Sequence, residues 1–289
     1  MMAFCLQLII FFLEVLRESC AVFGVIINRL FREGVMMGFS YWLQPFLDLL
    51  FPTVCASCRK LSSGSLSLCS SCLDEVRYLH SPLCVRCGAL FGDGNGGDHI
   101  CGNCLRRSPP FILARAVALY APPVSTLLHL LKYRTDRTVL STLKHIAVPF
   151  DFTPFASCDL IVPVPLHLKR LRERGLNQTL LLAHIFFPGQ AKAIRPEILV
   201  RTRDTVPQTG LGGKERRKNL RAAFAITREA DINGKGVCLV DDVLTTGATV
   251  IECAGTLMRA GAKEVKVLTM ARAVERMVVG SIVKQTVQD

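Results

Sequence analysis

Four C-x-x-C pairs fall within fifty residues: Cys55 and Cys58, Cys69 and Cys72, Cys84 and Cys87, Cys101 and Cys104. Ten, eleven and thirteen residues separate successive pairs. A C-x-x-C knuckle supplies two thiolates to one ion, so two knuckles complete a tetrahedral four-cysteine site. Disulfides, redox dithiols and an iron–sulfur cluster are the competing uses of such cysteines. Disulfides suit an exported chain, and no export signal is legible here. Regular double pairing favours structural zinc. The expectation is two Zn²⁺ ions in sequential sites, Cys55, Cys58, Cys69 and Cys72 in one, Cys84, Cys87, Cys101 and Cys104 in the other. The spacing also permits an interleaved pairing. Arg59-Lys60 and Gly88 follow the second cysteines of two knuckles and suit tight turns. His80 and His99 read as loop histidines. Cys5, Cys20, Cys158, Cys238 and Cys253 sit in apolar surroundings and read as packing residues.

The second constraint is the run from Val237 to Thr249. Val237 to Val240 read as a short buried strand after Asn233-Gly234-Lys235-Gly236, ending in the acids Asp241 and Asp242. Thr245, Thr246 and Thr249 surround Gly247, and a helical pattern then runs through Val250, Ile251, Cys253, Ala254, Leu257 and Met258 to Gly261. A turn at a helix N-terminus after a strand gathers free N–H groups and the helix dipole, which suits a phosphate. Two carboxylates beside it suit hydroxyls or Mg²⁺. A ribose phosphate carries both features. Neither G-x-G-x-x-G nor G-x-x-x-x-G-K-[ST] occurs.

Beyond Ser108-Pro109-Pro110, strands and helices alternate as in a βαβ chain. Strands are expected over 112–120, 158–165, 198–200, 222–227, 237–240 and 264–270. Helices are expected over 123–133 and 140–148, and from about Asn177 to Phe187. Leu127, Leu128, Leu130 and Leu131 are expected to be buried on the first of these helices. Leu180, Leu181, Ala183, His184 and Ile185 are expected to be mostly inward on the last. His129, His145 and His167 lack metal-ligand spacing and, with His184, read as packing or surface residues.

The net charge is +12, from 35 basic and 23 acidic residues. Eight thiolates (−8) with two Zn²⁺ (+4) bring it to +8. Between Leu166 and Arg221, thirteen Lys or Arg face four acids. That clustering suggests neutralisation of a polyanion, either a pyrophosphate or a nucleic-acid backbone. Few aromatics interleave these charges, which weakens base stacking as a role.

The first fifty residues hold two apolar runs, 3–13 and 21–27, each broken by polar positions. Neither reaches the roughly twenty residues of a membrane span. With no basic flank or clear cleavage pattern, a secretory signal is not expected. An interfacial helix, a helix packed on the body and an over-extended start are the three readings. The last is preferred, with Met36 or Met37 as the true start, and a cytoplasmic location is expected.

The run Val240-Asp241-Asp242-Val243-Leu244-Thr245-Thr246-Gly247-Ala248-Thr249 resembles the phosphoribosyl pyrophosphate (PRPP) motif of type I phosphoribosyltransferases. The cysteine block resembles a double zinc ribbon. With Leu131-Lys132-Tyr133, Val162-Pro163-Val164-Pro165 and Arg174-Gly175-Leu176-Asn177-Gln178 in order along one chain, about Leu49 to Val274 is similar to the ComF family. Those are competence-associated type I phosphoribosyltransferases with N-terminal zinc ribbons. The resemblance implies an α/β fold, a parallel sheet flanked by helices, preceded by a small cysteine-rich double zinc ribbon. It implies domains at 51–110 and 111–289, after an apolar extension at 1–50.

It also implies roles for particular residues. Asp241 and Asp242 would be catalytic and hold the ribose hydroxyls. Thr245, Thr246, Gly247, Ala248 and Thr249 would hold the 5′-phosphate. Pro163, Val164, Pro165 and Arg174 would meet the pyrophosphate, carried with Mg²⁺. In related folds the loop at Val164-Pro165 can hold a cis peptide. The loop between Arg201 and Lys218 could close over the site. The sequence offers no evident general base for an acceptor. The implied activity is phosphoribosyl transfer to an unspecified acceptor in DNA uptake. The alternative is a non-catalytic DNA-handling factor in transformation or recombination that senses ligand through the PRPP site. Single-stranded DNA and competence or recombination proteins are the candidate partners.

Overall fold

The computed structural model describes residues 53–62, 65–91, 96–133, 138–203, 222–227 and 231–274. The readings of residues 1–50, of the loop between Arg201 and Lys218 from residue 204 onward, and of Cys5 and Cys20 lie outside the described residues. The chain divides into two compact units, residues 1–54 with 60–64, and residues 55–59 with 65–289. In the described part of the first, Val54 pairs antiparallel with Leu61, and Ser62 N–H donates to Thr53 O at 2.8 Å. The remaining described residues belong to the second unit.

Two short helices open it, α1 (Ser70–Asp74) and α2 (Gly102–Arg106). Each begins directly after a cysteine, Cys69 or Cys101, and buries the next one, Cys72 or Cys104. The repeated C-x-x-C spacing thus places one cysteine before a helix and one inside its first turn.

The main sheet comprises β1 (Leu113–Leu119), β2 (Leu160–Pro163), β5 (Gly236–Leu244) and β6 (Glu264–Arg272). Its order is β1-β6-β5-β2 and every neighbouring pair is parallel. Such sheets are covered on both faces, which is why their strands read as nearly unbroken apolar runs. One face packs on α3 (Val124–Tyr133), α4 (Val139–Ala147) and α6 (Gln178–Phe186) through Leu127, Leu131, Leu143, Ile146, Leu182 and Phe186. The other packs on α7 (Ala248–Arg259) through Val250, Cys253, Ala254 and Leu257. The period-2 alternation of β5 splits accordingly: Cys238 and Val240 join the first core, Val237 and Leu239 the second.

Several expectations change. The strands β3 (Leu199–Arg201) and β4 (Phe224–Ile226) form a separate antiparallel pair rather than part of the βαβ sheet. Segment 168–174 is itself a helix, α5 (Leu168–Arg174). His167 caps it by accepting the Lys169 N–H, and Gly175 ends it at φ +68°. Five charged residues out of seven hid that helix, because no apolar face marks its period. On α6 the inward residues are Gln178, Thr179, Leu182, Ala183 and Phe186, while His184 is exposed and Leu180, Leu181 and Ile185 are half-buried. Leu130 is likewise half-buried, and Met258 is exposed.

Candidate functional site

Two regions gather the chemistry-bearing residues. In the cysteine module, the ligand atoms of Cys55, Cys58, Cys69 and Cys72 lie within 4.8 Å of one another, as do those of Cys84, Cys87, Cys101 and Cys104. The grouping is sequential. A tetrahedral zinc–thiolate centre with Zn–S near 2.3 Å has edges of about 3.8 Å. Cys58 Sγ to Cys69 Sγ is 3.7 Å, and Cys87 Sγ to Cys101 Sγ is 3.7 Å. Both tetrads are therefore dimensioned for a structural zinc ion.

Backbone amides prepare the thiolates. Cys87 N–H and Cys101 N–H point at Cys84 Sγ, at 3.4 and 3.3 Å. At Cys84 burial works against ionisation, but the amides of Cys101, Cys87 and Arg86 outweigh it and bring the thiol down to about 6. The balance at Cys55 is the same, with amides of Cys58, Cys69 and Ser57, and again gives about 6. The turns use left-handed backbone, Arg59 at φ 65° and Gly88 at φ 68°. At Gly88 a Cβ would stand 2.6 Å from Ala114 O, so only glycine fits. Two sheet arginines grip the second tetrad: Arg272 Nη1 donates to Cys87 O at 2.6 Å, and Arg115 Nη1 to Cys84 O at 3.3 Å and Val85 O at 3.2 Å. His80 and His99 are exposed, and His99 stacks on Phe91 with centroids 3.8 Å apart.

The second region lies at the carboxyl ends of β2 and β5, which are neighbours in the sheet. The strand β5 continues through both acids to Leu244, correcting the expectation that it ends at Val240. The reason is β6, which pairs with Asp241 through Thr269 and with Leu244 through Arg272. Asp241 is consequently buried, at 9% exposure. Burial first, and the charge of Asp242 second, raise its carboxyl to about 8. Asp241 Oδ1 accepts the Asp242 N–H at 2.9 Å, and Asp242 Oδ1 accepts the Val243 N–H at 2.8 Å. Asp242 Oδ2 accepts from Lys132 Nζ at 2.9 Å.

The turn that follows is exposed at Thr245 and Thr246. Gly247 takes φ +74°, which lets the chain reverse into α7, where Ile251 N–H meets Gly247 O at 2.9 Å. On the β2 side, Pro163, Val164 and Pro165 are buried. Val164 N–H donates to Val240 O at 2.8 Å. Val164 O accepts from Thr179 Oγ1 at 2.7 Å and Asn177 Nδ2 at 3.4 Å. Both backbone groups of Val164 are thereby engaged, so it anchors the loop against β5 and α6. The cis bonds among the described residues are Ser81–Pro82 and Pro122–Pro123, away from this loop. Arg174 ends α5, half-buried.

Lys132 and Gln178 lie in two of the stretches that carry the family resemblance, but sequence reasoning assigned neither a role at the site, and it passed over Thr179. Gln178 and Thr179 are buried polar residues, and Gln178 Nε2 donates to Lys132 O at 3.4 Å. The signal available was a helix face carrying Gln and Thr where apolar residues were expected inward.

Residues 46–105 match the double zinc ribbon domain family, and residues 189–283 the phosphoribosyl transferase domain family. The DNA utilization protein YhgH of Escherichia coli is 35% identical over 231 residues, 78% of this chain and 99% of that protein. The chain belongs to the ComF family. Other relatives are Competence protein F of Haemophilus influenzae, 33% identical over 76% of this chain and 96% of its own, and Competence protein ComFC of Bacillus subtilis, 26% identical over 71% and 84%. A solved purine phosphoribosyltransferase from Pyrococcus horikoshii is 19% identical, covering 47% of this chain and 81% of that one at a TM-score of 0.26. The fold class of this ComF-family chain is a parallel sheet with helices in a phosphoribosyltransferase domain, preceded by a cysteine module with two zinc-binding sites. No helix among its described residues is long and apolar enough to cross a membrane.

Proposed function

We propose that this ComF-family protein binds PRPP and transfers its phosphoribosyl group, with release of pyrophosphate, in a cytoplasmic pathway of DNA utilisation linked to competence. Residues 51–110 form the zinc module of this reading and residues 111–289 the transferase part. The observation that carries it is the adjacency of β2 and β5. It sets the Pro163–Pro165 loop and the Asp241–Asp242 pair side by side at the carboxyl edge of a parallel sheet, where α/β folds bind ligands.

The roles follow the chemistry of the ligand. Thr245 to Thr249 hold the 5′-phosphate against the start of α7. Asp241 and Asp242 accept the 2′- and 3′-hydroxyls. The loop at Pro163, Val164 and Pro165, with Arg174, faces the pyrophosphate. In the reaction the C1′–O bond to pyrophosphate breaks, its electron pair leaves with the pyrophosphate oxygen, and a cationic ribosyl centre is trapped by the acceptor's lone pair. The Asp242 carboxylate near the ring favours that charge, and holding both reactants in place supplies much of the rate. Mg²⁺ bound with the pyrophosphate would offset the charge of the leaving group.

Pyrophosphate release tests this reading. Zinc-loaded protein is incubated with PRPP, Mg²⁺ and candidate acceptors, single-stranded DNA among them. Release is expected to fall at least about a hundredfold in an Asp241→Asn/Asp242→Asn variant. Equal release from both proteins would refute transfer. The relatives' names favour a second reading, a non-catalytic DNA-handling factor that uses the site for ligand sensing. It expects no release but DNA affinity that falls steeply with salt. DNA binding that is absent or indifferent to salt would remove it.

A further inference from the structure

Lys132 sits one residue from the C-terminal end of α3, and its ammonium reaches Asp242 Oδ2 at 2.9 Å. Its main-chain carbonyl accepts from Gln178 Nε2, and Gln178 is the first residue of α6. The residues flanking Gln178, Asn177 and Thr179, both donate to Val164 O. One residue therefore touches the ribose-side acid Asp242 with its side chain while its backbone is tied to the element that anchors the pyrophosphate-side loop. The lysine side chain is about a third exposed, at 32%, against 14% for Asp242.

Each Asp242 oxygen has one donor, the Val243 amide at Oδ1 and the Lys132 ammonium at Oδ2. The amide is fixed by the backbone, whereas the ammonium can leave and give its place at Oδ2 to an arriving hydroxyl. A lysine ammonium is a mobile point charge on a flexible stem, and phosphate oxygens are stronger partners for it than a carboxylate already shared with a hydroxyl. We propose that Lys132 is the cation that links the two halves of the PRPP site. It rests on Asp242 when the site is empty, and it passes to the pyrophosphate oxygens when the ribose hydroxyls take Asp242. This deepens the PRPP reading and rests on it. Because the exchange alters both partners, each half of the ligand binds better once the other is present, and the two effects are equal by linkage.

Calorimetric titration of the zinc-loaded protein tests it, with ribose 5-phosphate and magnesium pyrophosphate added singly and each at saturation of the other. In the wild type, each ligand is expected to raise the affinity of the other about five- to tenfold. Lys132→Met is expected to lower pyrophosphate affinity at least about tenfold, to abolish the coupling, and to leave ribose 5-phosphate affinity unchanged or higher. Lys132→Arg keeps the charge and is expected to retain most of both effects, with zinc content and melting temperature as controls on folding. Coupling that survives in Lys132→Met, or a loss there confined to ribose 5-phosphate, would overturn the role of Lys132 while leaving the PRPP reading intact. A wild type that binds neither ligand would overturn both.

Discussion

The second cysteine tetrad and the Asp241–Asp242 pair both crowd like anions into buried or half-buried positions, and they solve that problem in opposite ways. The tetrad is dimensioned for a permanent Zn²⁺ and is braced by backbone amides and by Arg115 and Arg272. The acid pair relies on a lysine with a third of its side chain in solvent and on a proton held at Asp241. A carboxylate pair could not be left charged and uncovered at such depth. Permanent neutralisation makes a structural element, whereas neutralisation that can be exchanged makes a place where a ligand can bind.

Removing the metal should produce the largest effect. Structural zinc contributes on the order of 10–16 kcal/mol in small zinc modules, which matches or exceeds the roughly 5–15 kcal/mol net stability of a domain. Chelation should therefore release two zinc ions per chain and unfold the cysteine module, seen as loss of metal by mass spectrometry and as new protease cleavage between residues 55 and 104. Cleavage resistance after full metal loss would break the comparison.

Next comes Gly88→Ala. Both the positive φ and the approach to Ala114 O oppose a side chain, so the change should cost about 2–4 kcal/mol in urea unfolding. Gly175→Ala has the same φ of +68° but open space, and about 1 kcal/mol is expected there. Equal costs would mean that the turn alone, and not the docking of the knuckle on β1, fixes Gly88.

A smaller effect is expected for Arg272→Met. The lost charged hydrogen bond to Cys87 O, discounted for partial exposure, corresponds to about 1–2 kcal/mol. The second zinc should also exchange faster with a chelator while the first is unchanged. If both ions accelerate alike, the arginine does not act on that tetrad specifically.

The acid pair is probed by pH. The folded carboxyl of Asp241, at about 8, lies above its value of 3.8 in the unfolded chain, so the native state binds the extra proton. Stability should then fall as pH rises from about 4 to about 8. Asp241→Asn should flatten that part of the profile in urea midpoints measured against pH. A wild-type profile that rises relative to Asp241→Asn across this window would show that Asp241 is ionised when the site is empty.

Much of this was legible in the residues because it is local. The knuckles declare themselves by C-x-x-C spacing, and the turn at Gly247 by its threonines, since both depend on neighbours within a few positions. Helix α5 escaped notice because five of its seven residues are charged and its two leucines are too few to mark a helical period, and the β3–β4 pair because an isolated strand does not reveal its partner's direction. The four-strand order was not legible at all, since register and adjacency arise between segments that lie far apart in the chain.

The sequence alone thus determined which groups the protein carries: eight thiolates in paired knuckles, two adjacent acids, and a hydroxyl-rich turn leading into a helix. The tertiary structure decided how their charges are answered. It brought Lys132 to Asp242 across 110 residues and Arg272 to Cys87 across 185. It also ran β6 beside β5 and so buried Asp241. Electrostatic energy depends on distance and on exclusion of water, and neither is written in the order of the residues.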